Sequence, residues 1–127
     1  MDILMKINQD LAITGQIDSE QLQQILDKGY KSILNLRFGD EIGIWEHEQE
    51  KIELLGINYV NFPTKIEELN QQSALEVFNI INKLPKPVVI HCDNSLRSAT
   101  LVLLYIATKQ GIEFEQARQH GIKLGLI

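Results

Sequence analysis

Cysteine is almost absent. One thiol, Cys92, stands in 127 residues, which excludes an internal disulfide and any cysteine-rich zinc site. A lone thiol suits a reducing compartment, and the expected location is the cytoplasm. Proline is scarce, with three residues, and no Pro/Gly/Ser-rich linker or repeat divides the chain. One domain over residues 1–127 is therefore expected. The longest apolar stretch, around Leu101 to Ala107, is too short to span a bilayer. Met1 to Asp10 lacks the charged start and long apolar run of a secretory leader. Positive charge is in deficit: 12 Lys and Arg face 17 Asp and Glu, a formal net charge of −5. That balance disfavours general binding to nucleic acid or an anionic membrane. It leaves room for one small cationic pocket.

What is present is an alternation of strand and helix patterns. Leu11 to Thr14 reads as a short strand, with a second candidate near Leu4 to Ile7. Asp18, with Gln21 three residues on, has capping-box spacing for a helix striped by Leu22, Ile25 and Leu26 and stopped at Gly29. Ser32 to Leu36 is a buried-strand run, and Arg37 to Gly43 a polar loop. Trp45 to Leu55 is expected as a helix, with Glu46, Glu48, Glu50 and Lys51 as its solvated face. Asn58 to Phe62 alternates as a strand, Leu69 to Leu84 is a long amphipathic helix stopped by Pro85 and Pro87, and Val88 to Ile90 is a β-branched strand. Helices are expected over Ser98 to Gln110 and Phe114 to about Lys123. Strands joined through helices predict an α/β fold: a mainly parallel sheet of four to five strands with helices on both faces. Ligands of such sheets bind beyond the carboxyl ends of the strands, which is where Cys92 falls.

The segment VVIHCDNSLRSAT carries the chemistry. Asp93, Asn94, Ser95 and Leu96 separate Cys92 from Arg97, which opens a helix. Unpaired N–H groups and the positive end of the helix dipole gather at that point. Both the helix end and the arginine favour the thiolate over the thiol, whose free pKa is about 8.5. The same N–H groups can cradle an oxyanion, and the guanidinium adds a planar fork for it. An open concavity between thiol and guanidinium is the expected geometry. Ser98 can donate a hydrogen bond to the sulfur or serve only as a helix-start residue. His91 is given an orienting role through its ring N–H.

A strand, His-Cys, a short loop, Arg-Ser and a helix in that order resemble the cysteine-dependent phosphatase superfamily. More closely, the chain resembles a small bacterial phosphatase-like family that also occurs as a domain of beta-lactamase-hydrolase-like proteins. Leu11 to Ile17 (LAITGQI), Gly29 to Arg37 (GYKSILNLR), Gly56 to Pro63 (GINYVNFP) and His91 to Thr100 (HCDNSLRSAT) match its segments in order. The resemblance implies a dual-specificity-phosphatase-like fold, Cys92 as nucleophile and Arg97 as phosphate binder, with His91, Asp93, Asn94, Ser95, Leu96 and Ser98 forming the substrate-binding loop. Three features depart from the pattern. Four residues lie between Cys92 and Arg97 where the wider superfamily has five; four is common in rhodanese sulfurtransferases. Ser95 stands where the family usually has Gly. Asp93 sets a negative charge beside the thiol, opposing thiolate and phosphate alike.

A phosphatase of this type needs an acid for the leaving oxygen. Asp40 is the first candidate, followed by Glu67 and Glu68. Arg37 ends a strand on the same edge as Cys92, as a second anion contact or a salt-bridge partner. His47 and His120 lack ligand spacing, so neither a metal nor a cofactor is expected. The primary expectation is hydrolysis of phosphomonoesters, on a protein or a small molecule, through a phosphocysteine intermediate. The rivals are a sulfurtransferase using a Cys92 persulfide, and an inactive anion-binding interaction domain.

Overall fold

The computed structural model describes residues 4–127; residues 1–3, which begin the segment read for a leader, lie outside it. The described strands are β1 (Met5–Lys6), β2 (Leu11–Thr14), β3 (Ser32–Asn35), β4 (Asn58–Asn61) and β5 (Val88–His91). They form one sheet in the order β1-β2-β5-β3-β4. All neighbours run parallel except β1, which pairs antiparallel with β2 at the edge. The expected α/β sheet is therefore present, five strands wide among the described residues.

Five helices among the described residues flank it: α1 (Ser19–Asp27), α2 (Glu48–Glu53), α3 (Gln71–Lys83), α4 (Leu96–Lys109) and α5 (Phe114–Lys123). A 3₁₀ turn, Ile66–Glu68, precedes α3. The capping box read from Asp18 and Gln21 is formed, with the Gln21 N–H donating to Asp18 at 2.8 Å. Asn70 and Ser73 make a second one at the start of α3. No helix among the described residues is long and apolar enough to cross a membrane.

Successive side chains of a strand point to opposite faces, and that alternation builds two cores. Leu11, Ile13, Leu34, Val88 and Ile90 pack with Val77, Phe78, Ile81, Leu101 and Phe114 of α3, α4 and α5. Ala12, Ile33 and Val89 pack with Leu22 and Ile25 of α1 and Ile52 of α2. Val88, Val89 and Ile90 have no exposed surface, as a central strand covered on both sides requires.

The helix expected over Trp45 to Leu55 is shorter. His47 is left-handed, with φ 57°, so α2 starts only at Glu48. Glu48 itself corrects the reading of a solvated face: it is buried, whereas Glu46 and Glu50 are exposed. Its position four residues before the fully buried Ile52 turns it inward.

Candidate active site

The parity of β5 sorts the two residues of the His-Cys pair. Cys92 follows Val88 and Ile90 onto the face covered by α4, and it belongs to that core with no exposed surface. His91 follows Val89 onto the face covered by α2. Backbone bonds tie the strand end to both neighbours: Cys92 N–H donates to the Thr14 carbonyl at 3.3 Å, and Leu36 N–H to the His91 carbonyl at 2.9 Å. Gln16 N–H, just beyond β2, donates to the Asp93 carbonyl at 3.2 Å. The turn from Cys92 to Arg97 is thus anchored over the carboxyl ends of three parallel strands.

Within the turn, Ser95 takes the left-handed conformation, φ 75° and ψ −18°, at the N-cap of α4. This explains in backbone terms why glycine suits the position, since a Cβ is disfavoured there. The helix then begins around the thiol. Ser98 donates its main-chain N–H to Cys92 Sγ at 3.4 Å. Its hydroxyl, considered as the donor, is buried and has no partner among the described residues, as is the case for that of Thr14. Asn94 N–H donates to its neighbour Asp93 at 2.9 Å and Leu96 N–H to Asn94 Oδ1 at 3.1 Å.

Arg97 is held from several sides. Glu41 grips its two terminal nitrogens, Oε1 to Nη2 at 2.7 Å and Oε2 to Nη1 at 3.0 Å. Nη1 also donates to the carbonyls of Leu36 at 3.2 Å and Thr64 at 3.3 Å. Asp93 Oδ1 lies 3.3 Å from Nη2. Hydrogen bonding from Arg97, above all, keeps the Glu41 carboxyl down at about 2, with Phe38 N–H and Arg37 adding to the effect against burial.

Arg37 is no surface residue. It is 4% exposed and donates to Glu41 at 3.0 Å, to Gln16 Oε1 at 2.6 Å and to the Ile42 carbonyl. Gln16 in turn donates to Glu48 at 2.6 Å. Glu48 also receives Tyr59 Oη–H at 2.5 Å and Asn35 Nδ2 at 3.2 Å, and sits 2.7 Å from His91 Nε2. Burial pushes the Glu48 carboxyl up, but His91, Tyr59 and Gln16 together hold it below its ordinary value. The other His91 nitrogen lies 3.3 Å from the Cys92 carbonyl. A polar chain therefore runs from Arg97 through Glu41, Arg37, Gln16 and Glu48 to His91, the residue before Cys92.

No family model matches the sequence, and no curated protein gives a significant match. Solved structures do resemble it. A candidate phosphatase (DUF442) of Shewanella putrefaciens is similar over 93% of this chain and 76% of its own, at 20% identity and a TM-score of 0.75. A candidate phosphatase of Neisseria meningitidis gives 91% and 85%, 20% identity and 0.71. Pseudomonas aeruginosa TpbA, in complex with phosphotyrosine, gives 93% and 72%, 14% identity and 0.72. The fold is the one these solved structures share.

In this fold Ser98 N–H meets Cys92 Sγ and Asp93 meets Arg97, whereas the His91 side chain lies on the opposite face of β5 from Cys92. Two differences stand out. Against the open concavity expected between thiol and guanidinium, Cys92 has no exposed surface on the core face of β5 and Arg97 is engaged by two carboxylates. Asp40 is exposed, as are Glu67 and Glu68; the carboxylate that reaches Arg97 from the loop after β3 is Glu41, one residue on. Glu41, Glu48, Gln16 and Tyr59 were not legible as site residues. For Glu48 the one signal was its i, i+4 spacing from Ile52.

Proposed function

We propose that this chain is a cytoplasmic, cysteine-dependent hydrolase of phosphomonoesters. The observation that carries the reading is the seat of Cys92. Its sulfur sits at the start of a 14-residue helix, accepts the Ser98 N–H at 3.4 Å, and lies in one turn with Arg97. That is where an oxyanion finds N–H donors. The likeness to solved phosphatases supports the same reading.

Sγ attacks phosphorus; an S–P bond forms as the P–O bond to the alcohol breaks. Arg97 and the turn's N–H groups stabilise the equatorial oxygens. The leaving oxygen takes a proton from Asp40, or from Glu67 or Glu68 on the 3₁₀ turn next to Thr64, whose carbonyl touches Arg97. Water then attacks phosphorus and gives one proton back to the same carboxylate, the S–P bond breaks, and phosphate leaves with the thiolate restored. Since the sulfur has no exposed surface at rest, substrate must open the turn to reach it. The phosphate is carried by a protein or a small molecule. A chromogenic aryl phosphate, offered to the protein and to Cys92→Ser, tests the proposal. Turnover that disappears in Cys92→Ser is expected, and equal release by both proteins would overturn it.

A second reading rests on the four-residue spacing. A smaller loop suits a persulfide: Sγ attacks the outer sulfur of thiosulfate, sulfite leaves, and cyanide removes the sulfur as thiocyanate. Cys92-dependent thiocyanate without phosphate release would select it.

A further inference from the structure

The two carboxylates on Arg97 do different things. A planar guanidinium offers an end-on edge, Nη1 with Nη2, and a side-on edge, Nη2 with Nε. Glu41 takes the end-on edge with both oxygens, at 3.0 and 2.7 Å. The side-on edge is the one left for an external anion. Asp93 comes close to the Nη2 that this edge shares, with Oδ1 at 3.3 Å. The same oxygen receives the Asn94 N–H at 2.9 Å. One carboxylate oxygen is thus approached by a main-chain amide of the turn and by the guanidinium, the two kinds of donor that an oxyanion at this turn would use. Unlike Glu41, which is 22% exposed and fixed also by Arg37 and Phe38, Asp93 is 46% exposed and has no other side-chain partner among the described contacts. It can turn out into water without breaking the polar chain.

We propose that Asp93 is a built-in occupant of the anion site, a specificity-determining residue that an incoming anion must displace. The inference rests on the reading of the Cys92–Arg97 turn as an anion site. Two costs confront the ligand: the Asp93 contacts are given up, and the displaced carboxylate stays nearby at the rim. The second cost grows with the ligand's own charge. Asp93 therefore discriminates most against doubly charged oxyanions, and among phosphomonoesters it favours the singly charged, protonated form at the group that enters the turn.

Calorimetric titration of the protein with sulfate and with nitrate, at one pH and fixed ionic strength, tests this. Asp93→Ala is expected to bind sulfate about tenfold more tightly than the wild type, with a smaller gain for nitrate. Asp93→Asn, which retains an acceptor for the Asn94 N–H and guards against a merely misfolded turn, is expected to fall between them. Arg97→Ala should bind neither anion. If Asp93→Ala and Asp93→Asn bind sulfate no better than the wild type while Arg97→Ala loses it, the occupant role is overturned and the anion site stands. Equal gains for sulfate and nitrate overturn the charge discrimination. If no variant binds either anion, both the occupant role and the anion-site reading fail.

Discussion

Glu48 and His91 meet at 2.7 Å beneath the strand end that carries Cys92, in a place with almost no exposure on either side. Glu48 also accepts from Tyr59, Gln16 and Asn35. Removing the carboxylate leaves those donors buried without an acceptor. Loss of one partner of a buried pair costs about 3–5 kcal/mol. Glu48→Ala is expected to destabilise the fold by about that much in urea unfolding at neutral pH, and Glu48→Gln by less, since one acceptor oxygen remains. A loss below about 0.5 kcal/mol in Glu48→Ala, the level of ordinary surface changes, would mean that the cluster is solvated in solution.

Glu41 predicts how stability responds to acid. Its carboxyl is held at about 2 in the folded chain, against an ordinary 4.5. A carboxyl with a depressed folded value binds its proton more readily when unfolded, so its contribution is present above the unfolded value and is lost as pH falls through the folded one. Unfolding free energy should therefore drop as pH is lowered from about 4.5 toward 2. Glu48, also held low, adds to the fall with the same sign. In Glu41→Gln the dependence is expected to be visibly shallower across that window. Identical slopes for the two proteins, read from urea midpoints at stepped pH, would contradict the Arg97–Glu41 pairing.

Local pattern made the scaffold readable. Val88 to Ile90, Ser32 to Leu36 and the Asp18–Gln21 box announce themselves within a few residues, and the period of two in β5 places Cys92 and His91 on opposite faces. The polar chain behind the turn is a different matter. His91 lies 43 positions from Glu48, and Arg97 lies 56 from Glu41. Neither pair leaves a mark in a short window. Glu48 sits among Glu46, Glu50 and Lys51, a composition that reads as solvated, and only its spacing from Ile52 betrays its burial. Asp40 and Glu41 are chemically alike. Which of them faces Arg97 is decided by the turn in which Glu41 N–H donates to Phe38 at 3.2 Å and Glu41 Oε2 accepts from Phe38 N–H at 2.7 Å.

The end-on grip of Glu41 on Arg97 carries a prediction opposite in sign to that for Asp93. Glu41 holds the guanidinium in place without covering its side-on edge, so removing its charge loosens the contact an anion needs. Glu41→Gln is expected to weaken sulfate binding about tenfold, the scale of one charge-assisted hydrogen bond. Tighter binding in Glu41→Gln would make Glu41, too, a competitor of the ligand.

Ser95 offers a test of strain in the turn. It is left-handed at φ 75°, yet it carries a Cβ, a combination that costs about 1 kcal/mol or more. Its carbonyl accepts the Ala99 N–H at 2.9 Å, so the conformation is locked to the first turn of α4. Glycine would relieve the strain, while its extra freedom in the unfolded chain takes back part of the gain. Ser95→Gly is expected to raise stability by about 0.5 kcal/mol in urea unfolding. Ser95→Ala keeps the Cβ and should not be more stable than the wild type, because the serine side chain makes no capping bond that the strain could be offset against. If alanine stabilises as much as glycine does, the left-handed backbone is not the source of the effect, and the turn from Cys92 to Arg97 is free to adopt another path in solution.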